Sequence, residues 1–126
     1  MLIWATETTD DFDDWFTGLD EDEQVEVTAK IELLKLLGPQ LRRPHADTLN
    51  GSDYSNMKEL RIKTSAAVIR IAFAFDPTQT AILLVGGDKS GGSEKRFYKR
   101  LIDKADKLYK AHLETLKANQ KKGTDK

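Results

Sequence analysis

Arg61, Arg70 and Lys89 lie in three consecutive strand-like runs, Met57–Lys63, Ala67–Phe75 and Thr80–Lys89. Cations delivered to one shallow groove by neighbouring strands suit a phosphodiester. In the first run, alternation puts Glu59, Arg61 and Lys63 on one face, opposite Leu60 and Ile62. In the second, Ile69, Ile71, Phe73 and Phe75 share a core face, so Arg70 points the other way between Val68, Ala72 and Ala74. Small neighbours around a cation leave room for a ligand to lie on that face. Metal-independent cleavage of RNA needs such a set. The RNA's own 2′-hydroxyl is the nucleophile, and the protein supplies a base near it, cations for the pentacoordinate phosphate and an acid for the leaving 5′-oxygen. Arg61 and Arg70 can clamp a phosphate bidentately, which lysine cannot. Lys89 can neutralise developing charge, and Tyr98 can stack on a base or pass a proton. Arg42, Arg43, His45, Lys58, Lys63, Lys95 and Arg96 are further candidates to contact RNA.

Each residue also has a plainer reading. Arg61 can pair with Glu59 or with an acid on a neighbouring strand. Arg70 is the least easily explained as decoration, because an unpaired cation among Ile and Ala is destabilising. Lys89 follows Asp88 and can be an exposed loop lysine, and Tyr98 can be core packing with its hydroxyl at the surface. Glu59 is a possible base, although a neighbouring arginine would lower its pKa and blunt that role. His45, beside Arg42 and Arg43, can reach RNA or be an ordinary surface histidine, whereas His112 reads as structural or exposed. No metal site is expected from ligands so scattered. The serines have no nearby His-Asp pairing for a hydrolase triad. Gly86-Gly87 and Gly91-Gly92 lack the context of a phosphate-binding loop. No cofactor is expected.

These side chains must be positioned by the elements around them. Leu2-Ile-Trp4 reads as a first strand; it lacks the basic flank and longer apolar stretch of a signal peptide. Phe12, Trp15, Phe16 and Leu19 then recur at helical spacing, with Asp10 and Asp11 in the first turn, where they favour the helix dipole. A second helix opens with Asp20 as N-cap and Glu23 at capping-box spacing, and runs through Val27, Ile31 and Leu34 to Leu37, where Gly38-Pro39 stops it. The loop from Pro39 to Asn56 is long for a compact domain, so it is either functional or hides a short strand. The three strand runs follow, then a final helix from about Ser93 to Lys117. The order is β-α-α-β-β-β-α, an α+β domain over residues 1–118 with an antiparallel sheet and helices packed on one side. Residues 119–126 read as a flexible polar tail.

The chain of 126 residues has a net charge of −1 that hides a strong split. Residues 1–37 hold eleven Asp or Glu against two Lys, while residues 38–126 hold ten acidic against eighteen basic residues. Nucleic acid would meet the second part and avoid the first, although charge runs alone are often only solvated helix faces. There is no cysteine, so thiolate sites and disulfides are excluded and a reducing cytoplasm is the simplest compartment. No apolar run reaches membrane-spanning length, and no membrane partner is expected.

The helix pair, Leu49-Asn-Gly51, Met57-Lys-Glu-Leu-Arg61, Val68-Ile-Arg70 and Val85-Gly-Gly-Asp-Lys89 together resemble the RelE/ParE superfamily of bacterial toxins. Within it, the Lys-Glu-Leu-Arg run and the Phe97-Tyr-Lys-Arg-Leu-Ile-Asp-Lys-Ala105 helix are similar to phage-derived HigB-like members. The resemblance covers roughly residues 2–116 and implies a RelE-like fold. It further implies a ribosome-dependent mRNA endonuclease, a toxin held inactive by a co-expressed helix-turn-helix antitoxin of the HigA-like kind. Basic residues on the corresponding strands, and a tyrosine in this region, carry Arg61, Arg70, Lys89 and Tyr98 over as site residues. Two other classes stay open: a ParE-like inhibitor of a topoisomerase that cuts nothing, and a non-catalytic RNA-binding protein. The first generally lacks a basic catalytic set.

Overall fold

The computed structural model describes residues 3–124, with side chains as far as residue 121. Its elements are β1 (Thr6–Thr8), α1 (Asp10–Thr17), α2 (Glu21–Leu37), a 3-10 turn (Gly38–Gln40), β2 (Ala46–Thr48), β3 (Lys58–Lys63), β4 (Val68–Phe75), β5 (Ala81–Asp88) and α3 (Glu94–Thr124). The five strands form one sheet in the order β1-β5-β4-β3-β2, antiparallel except for the β1–β5 pair. The α+β class and the expected order of elements hold, with β2 as the short strand within the long loop.

Local chemistry explains the helix starts. Thr9 caps α1 by accepting from the Phe12 amide at 3.0 Å. At α2, Asp20 Oδ1 accepts from the Glu23 amide at 2.8 Å, and Glu23 Oε1 accepts from the Asp20 amide at 3.1 Å. This reciprocal box satisfies two amides that a helix N-terminus otherwise leaves without partners. Gly38 ends α2 with φ of 57°, and a Cβ there would fall 2.4 Å from the Trp4 indole. That close approach relocates the first strand. The Trp4 amide donates to the Lys35 carbonyl at the end of α2, and the Trp4 ring meets Phe75 edge-on. Strand pairing therefore begins at Thr6, opposite Ala81, and not over Leu2-Ile-Trp4, of which Leu2 lies outside the described residues.

The sheet is covered on both faces. Phe12, Val27 and Leu34 from α1 and α2 pack on Leu60, Ile62, Ile69, Ile71 and Phe73. On the other face Leu101, Ala105 and Tyr109 of α3 pack on Ala72, Ala74 and Leu84. The helices thus divide between the faces, where all were expected on one side. Ala72 and Ala74, the small neighbours of Arg70, admit a helix backbone and not a ligand. The helix α3 also runs on to Thr124, through most of the segment expected as a polar tail.

Candidate functional site

Strand register decides what meets at the edge of α3. Arg61 on β3 lies directly opposite Arg70 on β4, and Glu59 lies opposite Ala72. Two like charges directly across a strand pair repel, and the carboxylate two residues along answers them. Glu59 is 4% exposed; its Oε2 accepts from Arg61 Nη1 at 2.9 Å and its Oε1 lies 3.7 Å from Arg70 Nε. The first turns of α3 add Tyr98. Its hydroxyl donates to Glu59 Oε1 at 2.8 Å and accepts from Arg70 Nε at 3.1 Å. Arg70 is 5% exposed, and its Nη1 donates to the Ile69 carbonyl at 3.0 Å. So Arg70 is not a free cation on an open face. It sits under Tyr98 and Glu59 and presents its remaining donors from within the cluster.

Burial, together with donation to the Glu59 carboxylate, holds the Tyr98 hydroxyl above the ordinary phenol range. A proton therefore stays on this oxygen at neutral pH, and the group is a donor and not an anion. Lys89, at the start of the Gly91-Gly92 turn, reaches across it to Glu94 Oε1 at 2.6 Å and lies 5.9 Å from the centre of the Tyr98 ring. The hydrogen bond and charge of Lys89 hold the Glu94 carboxyl below its usual range.

Glu59, Arg61, Lys89, Glu94 and Tyr98 line a cleft of about 420 Å³ whose other walls are Arg43, Asp47, Thr48, Leu49 and Asn50. A smaller cleft of about 260 Å³ adjoins it at Arg61 and Arg43, and takes in Pro44, Lys63, Val68 and Arg70. Arg43 is itself held by Asp47, with Nη2 at 2.7 Å from Oδ2. Arg61, Arg70, Lys89, Tyr98, Arg43 and Lys63 are therefore brought together.

The remaining candidates are not brought there. Lys58 lies on the Leu60–Ile62 side of β3, with its Nζ 3.4 Å from the Pro39 carbonyl oxygen. His45 turns towards α2, where its Nδ1 meets Lys30 Nζ at 2.9 Å. Arg42 and Lys95 are exposed and outside the cleft lining. Arg96 lines a different cleft, of about 470 Å³, on the far side of α3 beside Gly86, Gly87 and Arg100. The residues underrated in the sequence are Glu59, the hub, and Glu94, the partner of Lys89. Their signals were the Glu-Leu-Arg alternation and the glycine turn that separates Lys89 from Glu94.

Among the described residues, no group of three or more His, Cys, Asp or Glu side chains is placed to hold a metal ion, and no helix is long and apolar enough to cross a membrane. What the cleft offers is the Arg43 and Arg61 guanidinium groups, the Lys89 ammonium group and the Tyr98 phenol along one lining, with the Glu59 carboxylate among them.

The chain is 50% identical over 92 residues to "Putative toxin HigB3" of Mycobacterium tuberculosis (strain ATCC 25618 / H37Rv), which covers 73% of this chain and 78% of that protein. It is 42% identical over 100 residues to "Putative toxin HigB2" of the same organism, covering 79% of this chain and 49% of that protein. Residues 14–110 match the family described as "Phage derived protein Gp49-like (DUF891)". The chain belongs to this Gp49-like family and stands with the HigB-like toxins of the RelE/ParE type.

Proposed function

We propose that this protein is the toxin of a type II toxin–antitoxin system and acts as a ribosome-dependent, metal-independent mRNA endoribonuclease that stops translation in the cytoplasm. The observation that carries this reading is that Arg61, Lys89 and Tyr98 line one cleft from β3, the segment after β5 and α3, with Arg70 of β4 bonded to the Tyr98 hydroxyl behind it and lining the adjoining cleft. In the reaction the 2′-oxygen bonds to the adjacent phosphorus, the bond to the 5′-oxygen breaks, and a 2′,3′-cyclic phosphate and a 5′-hydroxyl result. Arg61 and Arg70 stabilise the extra negative charge on the pentacoordinate phosphate. Tyr98, protonated at neutral pH, gives its proton to the departing 5′-oxygen, and the 2′-hydroxyl proton leaves to water. Lys89 balances charge at the rim. Arg43 and Lys63 line the adjoining cleft, where they would follow the RNA backbone.

The partners under this reading are the ribosome with its mRNA and a HigA-like helix-turn-helix antitoxin. Induction of the chain alone is expected to arrest growth and produce discrete cuts in a translated reporter mRNA, read by primer extension. Co-expression of a neighbouring helix-turn-helix gene is expected to reverse both effects. Arrest without mRNA cuts, accompanied by stalled DNA replication, would favour the topoisomerase-inhibitor class instead.

A further inference from the structure

We propose that the Glu59 carboxylate is an internal counter-ion held where the RNA phosphate binds, so that substrate loading exchanges one anion for another. The inference rests on the RNA reading of the cleft and adds what the site must do before it can act.

The geometry is specific. Arg61 and Arg70 face each other across the β3–β4 pair, an arrangement that costs stability unless an anion lies between them. Glu59 is that anion. Its Oε2 accepts from Arg61 Nη1 at 2.9 Å and its Oε1 from the Tyr98 hydroxyl at 2.8 Å, with Arg70 Nε 3.7 Å from Oε1. A phosphodiester also presents two oxygens on a single negative charge, and calls for the same donors. The carboxylate and the phosphate compete for the Tyr98 hydroxyl proton and for Arg61 Nη1. One carboxylate between two guanidinium groups also leaves the cluster with a residual positive charge, which attracts the incoming phosphate while Glu59 keeps the cluster ordered. Glu59 is thus a positioning residue: in the free protein it sets Arg61 and Tyr98 in the geometry that the substrate takes over. All its strong donors are side chains, on β3 itself and on α3, so it can be released without breaking the sheet ladder.

The test is the affinity of the full chain for a short fluorescein-labelled 2′-O-methyl RNA, which cannot be cleaved, measured by anisotropy across a salt series. The Glu59→Gln variant keeps one oxygen to accept from Tyr98 or Arg61 but removes the competing charge. It is expected to bind this RNA on the order of 10-fold tighter at low salt. Its salt slope is expected to be steeper by roughly 0.7, the value of one added phosphate contact on a single strand. A purely structural role for Glu59 would change the melting temperature but not the slope. Glu59→Asp keeps the charge on a shorter stem and is expected to fall between parent and Glu59→Gln, which keeps the inference testable if the glutamine variant does not fold. A folded Glu59→Gln protein that binds RNA no better than a binding-competent parent would overturn the counter-ion role and leave the RNA reading intact. Absence of binding by parent and variants alike would overturn the exchange as stated, while the RNA reading stands or falls separately on the mRNA cuts made during translation.

Discussion

Among the described residues two carboxylates, Asp76 and Glu59, are buried against α3, and they are held differently. Asp76, in the turn between β4 and β5, takes three donors from its own neighbourhood on Oδ1: the Thr78 amide at 2.9 Å, the Thr78 hydroxyl at 2.7 Å and the Thr80 amide at 3.1 Å. Its Oδ2 meets His112 Nε2 of α3 at 2.7 Å. Glu59 has no backbone donor among its hydrogen bonds; Arg61 and Tyr98 hold it, with Arg70 beside it, and the cluster opens to a cleft. Amides within a tight turn cannot leave, so Asp76 fastens the hairpin to the C-terminal half of α3. Side-chain cations at a cleft can change partners, so Glu59 marks a place where an outside anion competes. Burial alone does not separate a structural carboxylate from a functional one. The identity of the donors does.

The largest expected break in this comparison is at Arg70. Arg70→Ala removes a charge-stabilising group and also leaves Glu59 with one cation, so mRNA cleavage is expected to fall by about 100- to 1,000-fold. Primer extension beside circular dichroism checks it, and normal cleavage by a folded variant would make Arg70 purely structural. Arg61→Ala and Lys89→Ala are expected to show smaller losses of the same kind.

Tyr98→Phe comes next. It deletes the donor to Glu59 and the acceptor from Arg70 while keeping the ring, so cleavage should drop by about 100-fold, the low end for loss of a general acid. Stability should fall by only about 1 kcal/mol, the usual net value of a hydrogen bond. Unchanged single-turnover rates would assign Tyr98 to packing alone.

Changes at the second carboxylate should be felt in stability and not in cleavage. Asp76→Asn is expected to cost about 1–3 kcal/mol, because amide donors in the turn and His112 lose a charged acceptor. His112→Ala should cost less and leave mRNA cutting unchanged. Burial pushes the Asp76 carboxyl up, but the hydrogen bonds from Thr78, His112 and Thr80 outweigh it and hold the group below its ordinary value of 3.8. A carboxyl that ionises more readily in the folded state stabilises the protein above that value, and the contribution disappears as pH falls through the lower folded value. Denaturant melts of parent and Asp76→Asn should therefore differ most at neutral pH and converge in acid below 3.8. A gap that persists unchanged into acid would mean that the charge on Asp76 contributes nothing.

Much of this protein could be read from local pattern. Alternation through Leu60, Ile62, Ile69, Ile71 and Phe73 identified one face of the sheet, and the Asp20–Glu23 box marked the start of α2, because both depend on the geometry of a few adjacent residues. Arg61, Arg70, Lys89 and Tyr98 were legible as candidates from their places in those patterns. What local pattern left open was the company they keep. Ala72 and Ala74 read as space for a ligand, and the docking of α3 fills that space instead. Lys58 and His45 looked like partners of the site in the sequence, but the fold turned Lys58 to the 3-10 turn after α2 and His45 to α2 itself. The hub formed by Glu59, Arg70 and Tyr98 joins residues 28 and 39 positions apart in the chain. Periodicity states which way a side chain points from its own backbone. Which cation stands opposite which, and which carboxylate lies between them, is set by strand register and helix docking, and those are properties of the assembled core.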